Sequence, residues 1–189
     1  GPTNINAGTL RIMNHDLLPD TASVTVSSGA TLSLNGFNND TIGALTGSGT
    51  VQVPGTSTWT VGGGNASSTF SGVISGPGSL AKTGTGNFTL SGANTYTGVT
   101  TVNAGTFSLG ASGVLDDTSD LTVSGGSFNL QSFSETVDIV TLSGGSITGT
   151  GGTLTGSAFG VLSGTISAPL GGSGALTKTT AGTVKLSVA

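Results

Sequence analysis

The sequence contains no cysteine. Disulfides, zinc–thiolate sites and thiol nucleophiles are therefore excluded, and the chain suits an export route in which it must stay unlinked. Charge is scarce as well: four Lys or Arg and eight Asp or Glu, for a formal net charge of −4. The cations Arg11, Lys82, Lys178 and Lys185 are scattered, so there is no basic footprint for nucleic acid. No run of about 20 apolar residues, the length of a membrane-crossing helix, occurs. The chain has one histidine, one tryptophan and one tyrosine.

Glycine (35 residues) and serine (26 residues) are abundant instead. Such a composition alone resembles low-complexity sequence. Disordered chains, however, are poor in apolar residues, and here 34% are apolar with a mean hydropathy of +0.26. Order along the chain decides between the two. "INAGTLRI" (Ile5–Ile12) returns 97 residues later as "VNAGTFSL" (Val102–Leu109). "LLPDTASVTVSSGATLSL" (Leu17–Leu34) returns as "VLDDTSDLTVSGGSFNL" (Val114–Leu130), and Phe37 corresponds to Phe133. "FSGVISGPGSLAKTGTGNFTLSGA" (Phe70–Ala93) returns as "LSGTISAPLGGSGALTKTTAGTVKLSVA" (Leu162–Ala189) with four residues inserted. The reading is a single fragment, 1–189, built from two tandem units, 3–98 and 99–189. Gly1-Pro2 has the form of a tag-cleavage remnant, and both ends fall mid-unit, as expected of a piece of a longer array.

A shorter beat of glycine, one or two small residues and an apolar residue marks Leu10, Leu32, Val51 and Leu80, then Phe107, Phe128, Ile147 and Leu176. Between glycines the pattern alternates, as in "SVTVSSGATLSL". Alternation is the strand period, and Thr, Val, Ile and Phe suit a pleated surface. The nearest approach to a helical pattern, "FSETVDIV", is short. A beat near 20 residues with a long tandem repeat favours a parallel β-helix over a sandwich or barrel. The expectation is an all-β fold, a β-solenoid of about eight or nine coils. Leu, Val, Ile and Phe point inward, Thr and Ser outward, and glycines lie at crowded corners. Tyr96 is expected over a corner, and Asn94 in an Asx-type turn.

"GSLAKTGTGNFTLSGANTYTGVTTVNAGTFSLG" (Gly78–Gly110) resembles the autotransporter-associated β-strand repeat, also called the passenger-associated transport repeat. Leu80, Lys82, Gly84, Gly86, Leu90, Gly92, Asn94, Tyr96, Gly98, Thr100, Val102, Asn103, Gly105, Phe107 and Gly110 carry the resemblance. Degenerate matches lie at Ile5–Leu10 and Gly174–Ser187. The resemblance implies a right-handed parallel β-helix in the passenger of a large secreted or cell-surface bacterial protein. It also implies a role in folding and passage across the outer membrane, with no catalytic residues in the repeat.

Residues with chemical potential are few. A hydrolase triad needs a histidine beside a nucleophile and a carboxylate. His15 lies in "NHDLLPD", and the matching "LGASGVLDD" has none. No catalytic residue, cofactor or metal site is assigned. Asp116, Asp117 and Asp120 are weak calcium candidates, but calcium wants six to eight oxygens, and turn capping accounts for them. Lys82 and Lys178 occupy equivalent places, open equally to a charge row on one face, edge protection or simple solubility. "GGGN" (Gly62–Asn65) lacks the Gly-Lys-Ser/Thr of a phosphate loop. Thr-x-Thr pairs at Thr83/Thr85 and Thr95/Thr97 do not recur in each coil, which disfavours an ice-matching array. The reading is a structural spacer that projects other domains. The alternative is an adhesin module for glycans or surfaces, and a carbohydrate-active enzyme ranks third. Its partners are neighbouring repeats, and its open ends would associate end to end.

Overall fold

The computed structural model describes residues 1–36 and 38–187; Phe37, and with it the Phe37–Phe133 correspondence, lies outside the described residues. Twenty-four short strands and no helix occur among them. They form a ten-stranded, a nine-stranded and a five-stranded sheet, and neighbouring strands are parallel. Sequence neighbours such as Ser23–Val26, Thr31–Leu34 and Asp40–Ile42 fall on three different sheets. The chain therefore winds as a three-faced coil, and each strand inside a sheet bonds to the coil before and the coil after.

Coil length follows from the ladder of the ten-stranded sheet. Val24 pairs with Leu45, Gly47 with Phe70, Phe88 with Phe107, Phe107 with Phe128, Phe128 with Ile147 and Ile147 with Ile166. Steps of 19 to 23 residues give about nine turns. Because side chains alternate across a strand, this register stacks like on like. Phe88 meets Phe107 edge-on with ring centroids 5.7 Å apart, and Phe107 stacks on Phe128 at 5.6 Å. Leu32, Val51, Phe128 and Ile147 are fully buried, as expected. Most of "FSETVDIV", the nearest to a helical pattern, falls in the eight-residue strand Glu135–Leu142.

Corners explain the glycines. A Cβ on Gly92 would sit 1.8 Å from the carbonyl oxygen of Gly72 in the coil below. Gly84 has φ +64° and would meet the Gly62 oxygen at 1.9 Å. Only glycine accepts that φ at no steric cost.

The apolar beat needs correction. Leu10, Leu32 and Val51 lie on the five-stranded sheet, Leu80 on the nine-stranded and Phe107, Phe128 and Ile147 on the ten-stranded. It is not one interior row, and Leu176 is 43% exposed. The reason lies in the length of the long repeat. Five ladder steps on the ten-stranded sheet carry Ile5 to Leu109 through Val26, Gly47, Phe70 and Leu90. That is 104 residues, seven more than the offset of 97. Seven residues are about one strand and one corner, a third of a coil. Thus Thr9–Ile12 lies on the five-stranded sheet, whereas its counterpart Thr106–Leu109 lies on the ten-stranded one.

The two ends differ. At the first coil, segment 15–18 folds over the edge strand Asp40–Ile42 of the nine-stranded sheet. At the last coil, Ile166, Ala168, Leu170, Leu176 and Leu186 line an apolar hollow of about 270 Å³.

Replacing Phe107 by alanine empties the middle of a three-ring stack. A loss of about 3–5 kcal/mol is expected. Equilibrium urea unfolding measures it, and a loss below about 1 kcal/mol would contradict the stacked interior.

Candidate functional site

The polar residues of the repeat are where chemistry could reside, and they lie mostly inside. Ile74 aligns with Asn94 and Gly76 with Tyr96 by the register of the five-stranded sheet. Asn94 therefore takes the next place in the row Leu10, Leu32, Val51, Ile74. It is buried, with its carboxamide spread across three coils. Its Oδ1 accepts the Ile74 N–H at 2.8 Å, and its Nδ2 donates to Val114 O at 2.8 Å and Gly92 O at 2.7 Å. The Gly92 bond is local but runs from the amide to a carbonyl two residues back, not the Asx arrangement expected; the Ile74 bond stands in for a backbone bond, and the Val114 bond joins the Asn94 N–H, which reaches the same oxygen at 3.1 Å. They continue the ladder beyond Thr95–Tyr96, the last strand of that sheet. Leaving the Ile74 N–H unpaired in the interior would be costly.

Tyr96 is not over a corner. It is fully buried, and its phenol oxygen lies 2.6 Å from Thr100 Oγ1. Burial pushes its pKa up. Thr100 faces inward rather than outward, between Leu80 and Leu121 of the nine-stranded sheet.

Lys82 is corrected too. It is 1% exposed, in the interior row Ile42, Val61, Lys82, Val102, Val123. Its stem packs with aliphatics while its ammonium turns to the corner. There it donates to the carbonyls of Thr83, Gly84 (3.0 Å) and Ala104 (3.4 Å). Burial lowers its pKa. Lys178 is exposed and donates to the Thr180 carbonyl. The two lysines form no surface row. The remaining repeat positions are structural: Leu80, Leu90, Val102 and Phe107 are core. A Cβ on Gly86, Gly98 or Gly105 would come within 2.4 Å of carbonyl oxygens in the preceding coil. Asn103 is exposed and accepts the Ser124 hydroxyl at 2.8 Å.

The Asp loop spends its oxygens on turns. Asp116 accepts the Thr118 hydroxyl and N–H, which hold its pKa below the usual carboxylate value. Asp120 accepts the Ile139 N–H at 3.1 Å, and Asp117 is exposed. Among the described residues no three His, Cys, Asp or Glu side chains converge. His15 Nδ1 accepts the Asn39 N–H at 3.0 Å.

Two buried acids escaped the sequence reading, and they form one device used twice. Asp40 Oδ2 accepts the N–H groups of Leu17 (3.1 Å) and Leu18 (3.3 Å). Glu135 Oε2 accepts the N–H of Val114 at 2.8 Å, and the N–H of Leu115 favours its charged form. Leu17-Leu18 and Val114-Leu115 are the same repeat positions. The flanking bonds match as well. Asp16 N–H donates to Asn39 O, and Gly113 N–H donates to Ser134 O, both at 3.2 Å. His15 Nδ1 receives the Asn39 N–H, as Ser112 Oγ receives that of Ser134. Asp16 and Gly113 both have positive φ, 50° and 63°. Each acid pins a loop onto the following coil. The sequence signal was an acid about 22 residues after each "LL" or "VL", but the copies differ in residue type and spacing.

The passenger-associated transport repeat model matches residues 1–12 and 80–109. The match covers 42 of the 189 residues, and over these two stretches the chain is similar to that repeat. The second match runs from Leu80 to Leu109, through Lys82, Asn94, Tyr96 and Phe107, so the interior polar residues belong to the repeat. This repeat family implies an autotransporter-type passenger segment and a secreted or surface-exposed protein. No curated protein matches the chain, and no solved structure does.

Burial raises Glu135 from 4.5 to about 7, partly offset by the backbone N–H groups it accepts. A folded-state pKa above the unfolded one favours folding when the group is protonated. That contribution is fully present below about pH 4.5 and is lost as pH rises through 7. The full displacement corresponds to roughly 3 kcal/mol. Glu135→Gln removes this titration. The wild-type melting temperature should therefore fall relative to the variant's between pH 5 and 8. A constant difference across that range would refute the assignment.

Proposed function

We propose that this protein is a non-catalytic spacer in an exported bacterial surface protein, and that its repeat supports folding during passage out of the cell. The observation that carries this reading is the continuity of the interior. Each coil buries its apolar side chains only against its neighbours, so stability accumulates as coils are added. A chain emerging from a membrane can then fold coil by coil on the part already outside. The carbonyl-caged Lys82 and the ladder-bridging Asn94 hold the repeat's own coils in register.

The test uses the surface-displayed parent protein and two deletions of equal length. Removing 147–165 takes out one coil without the repeat, since Ile147 pairs with Ile166. Removing 88–106 takes out one coil of the repeat, since Phe88 pairs with Phe107. The first should leave display of a distal domain near wild type, and the second should lower it several-fold. Equal display in both would rule out an export role for the repeat. Loss in both would rule out a mere spacer.

A second reading, an adhesin for glycans, has one observation in its favour. The ten-stranded sheet carries Thr25, Thr46, Thr69, Thr89, Ser108, Asn129 and Thr148 in one column, one per coil, with Ser108 buried and its hydroxyl bonded to Asn87. Adjacent strands put such groups about 4.8 Å apart. The Thr-x-Thr pairs noted in the sequence lie elsewhere. Uncharged hydroxyl and amide groups at that spacing suit neutral polysaccharide chains. Binding on a glycan array, abolished by Thr46→Glu with Thr89→Glu, is the expected result, and no binding to any neutral glycan would end this reading.

A further inference from the structure

The two acid devices differ in one respect. Glu135 uses both oxygens, because Oε1 accepts the Thr136 N–H at 3.2 Å. Asp40 leaves Oδ1 without a partner, although the residue is 1% exposed. Three more buried polar atoms on the same two segments also lack partners among the described residues: Asn38 Nδ2, Ser57 Oγ and Trp59 Nε1. Ser57 and Trp59 are fully buried and Asn38 is 9% exposed.

Register places these four residues together. Asp40 pairs with Trp59 across adjacent coils, and Asn38 and Ser57 each stand two residues before them. Thr58 N–H donates to Asn39 Oδ1 at 2.7 Å, which holds the same two segments side by side. The second device is an internal control. Glu135 pairs with Leu154, so the matching neighbours are Phe133, Gly152 and Leu154. None has a polar side chain. Where the acid is satisfied by backbone, its surroundings are apolar. Where it is not, all three surroundings are polar and unmet.

Four independent orphans at adjacent positions need a shared partner, because buried polar groups are almost always paired. Indole N–H and carboxamide N–H only donate, a carboxylate oxygen only accepts, and a hydroxyl does either. A water molecule accepts two bonds and donates two. We propose that Asn38, Asp40, Ser57 and Trp59 enclose a bound water. It accepts from Trp59 Nε1 and Asn38 Nδ2 and donates to Asp40 Oδ1 and Ser57 Oγ. It links two coils where the Asp40 carboxylate holds the first loop, and so completes the first device as backbone completes the second.

Trp59 is the only tryptophan, so the full chain gives a single indole N–H resonance. A water-selective rotating-frame NMR experiment should show a direct cross-peak from that resonance to a long-lived water. Ser57→Ala should retain it, because three partners remain. Its loss in that variant would mean relay through the hydroxyl proton and would overturn the proposal. So would absence of the cross-peak in the wild type. A high-resolution crystal structure should place one density peak within hydrogen-bond distance of Trp59 Nε1 and Asp40 Oδ1. Direct contact between those two atoms, with no peak, would overturn it equally.

Discussion

Backbone hydrogen bonds from each coil to the next hold this protein together, and they set what every side chain can be. A parallel ladder running the length of the chain leaves each inward position above and below an equivalent one. An aromatic ring placed there is best met by another ring, which is why Phe88, Phe107 and Phe128 follow one another. The same closeness leaves no room at corners, and Gly92 against Gly72 is the result. Core and corner are two consequences of one spacing.

That constraint also accounts for the polar interior. Where a strand cannot continue, donors and acceptors of the ladder still need partners. Asn94, Asp40 and Glu135 supply them from side chains. Lys82 does the reverse, offering an ammonium to carbonyls at a tight corner. These are buried charges and amides used as pieces of backbone. Their bonds join one coil to another. The interior polar residues act as joints between coils.

The same joints constrain how the two long units relate. A repeat of 97 residues falls a third of a coil short of five turns, so equivalent sequences land on different faces. The fold tolerates this because each face offers the same thing: a strand, an inward pair of positions and a corner. The acid device is the exception: Asp40 and Glu135 both lie on strands of the nine-stranded sheet, and each accepts an N–H from the equivalent loop. Sequence identity is preserved at the level of the strand and corner, not at the level of the whole coil.

Alternation and the 97-residue recurrence determined much from the sequence alone: strands rather than helices, a solenoid rather than a sandwich, about nine coils, and Leu32, Val51, Phe128 and Ile147 inside. These are legible because burial alternates along each strand and repeats with each coil. The position of Lys82 was legible in principle, since it shares the parity of Leu80, but its charge argued for the surface. Asn94 and Tyr96 pose the same difficulty. Which face each strand joins, and which acid meets which loop, only the tertiary structure decided. Face assignment depends on the running sum of every corner's length, so an error of one corner moves all later strands. Partners such as Leu17 and Asp40 become neighbours only once the coil has closed.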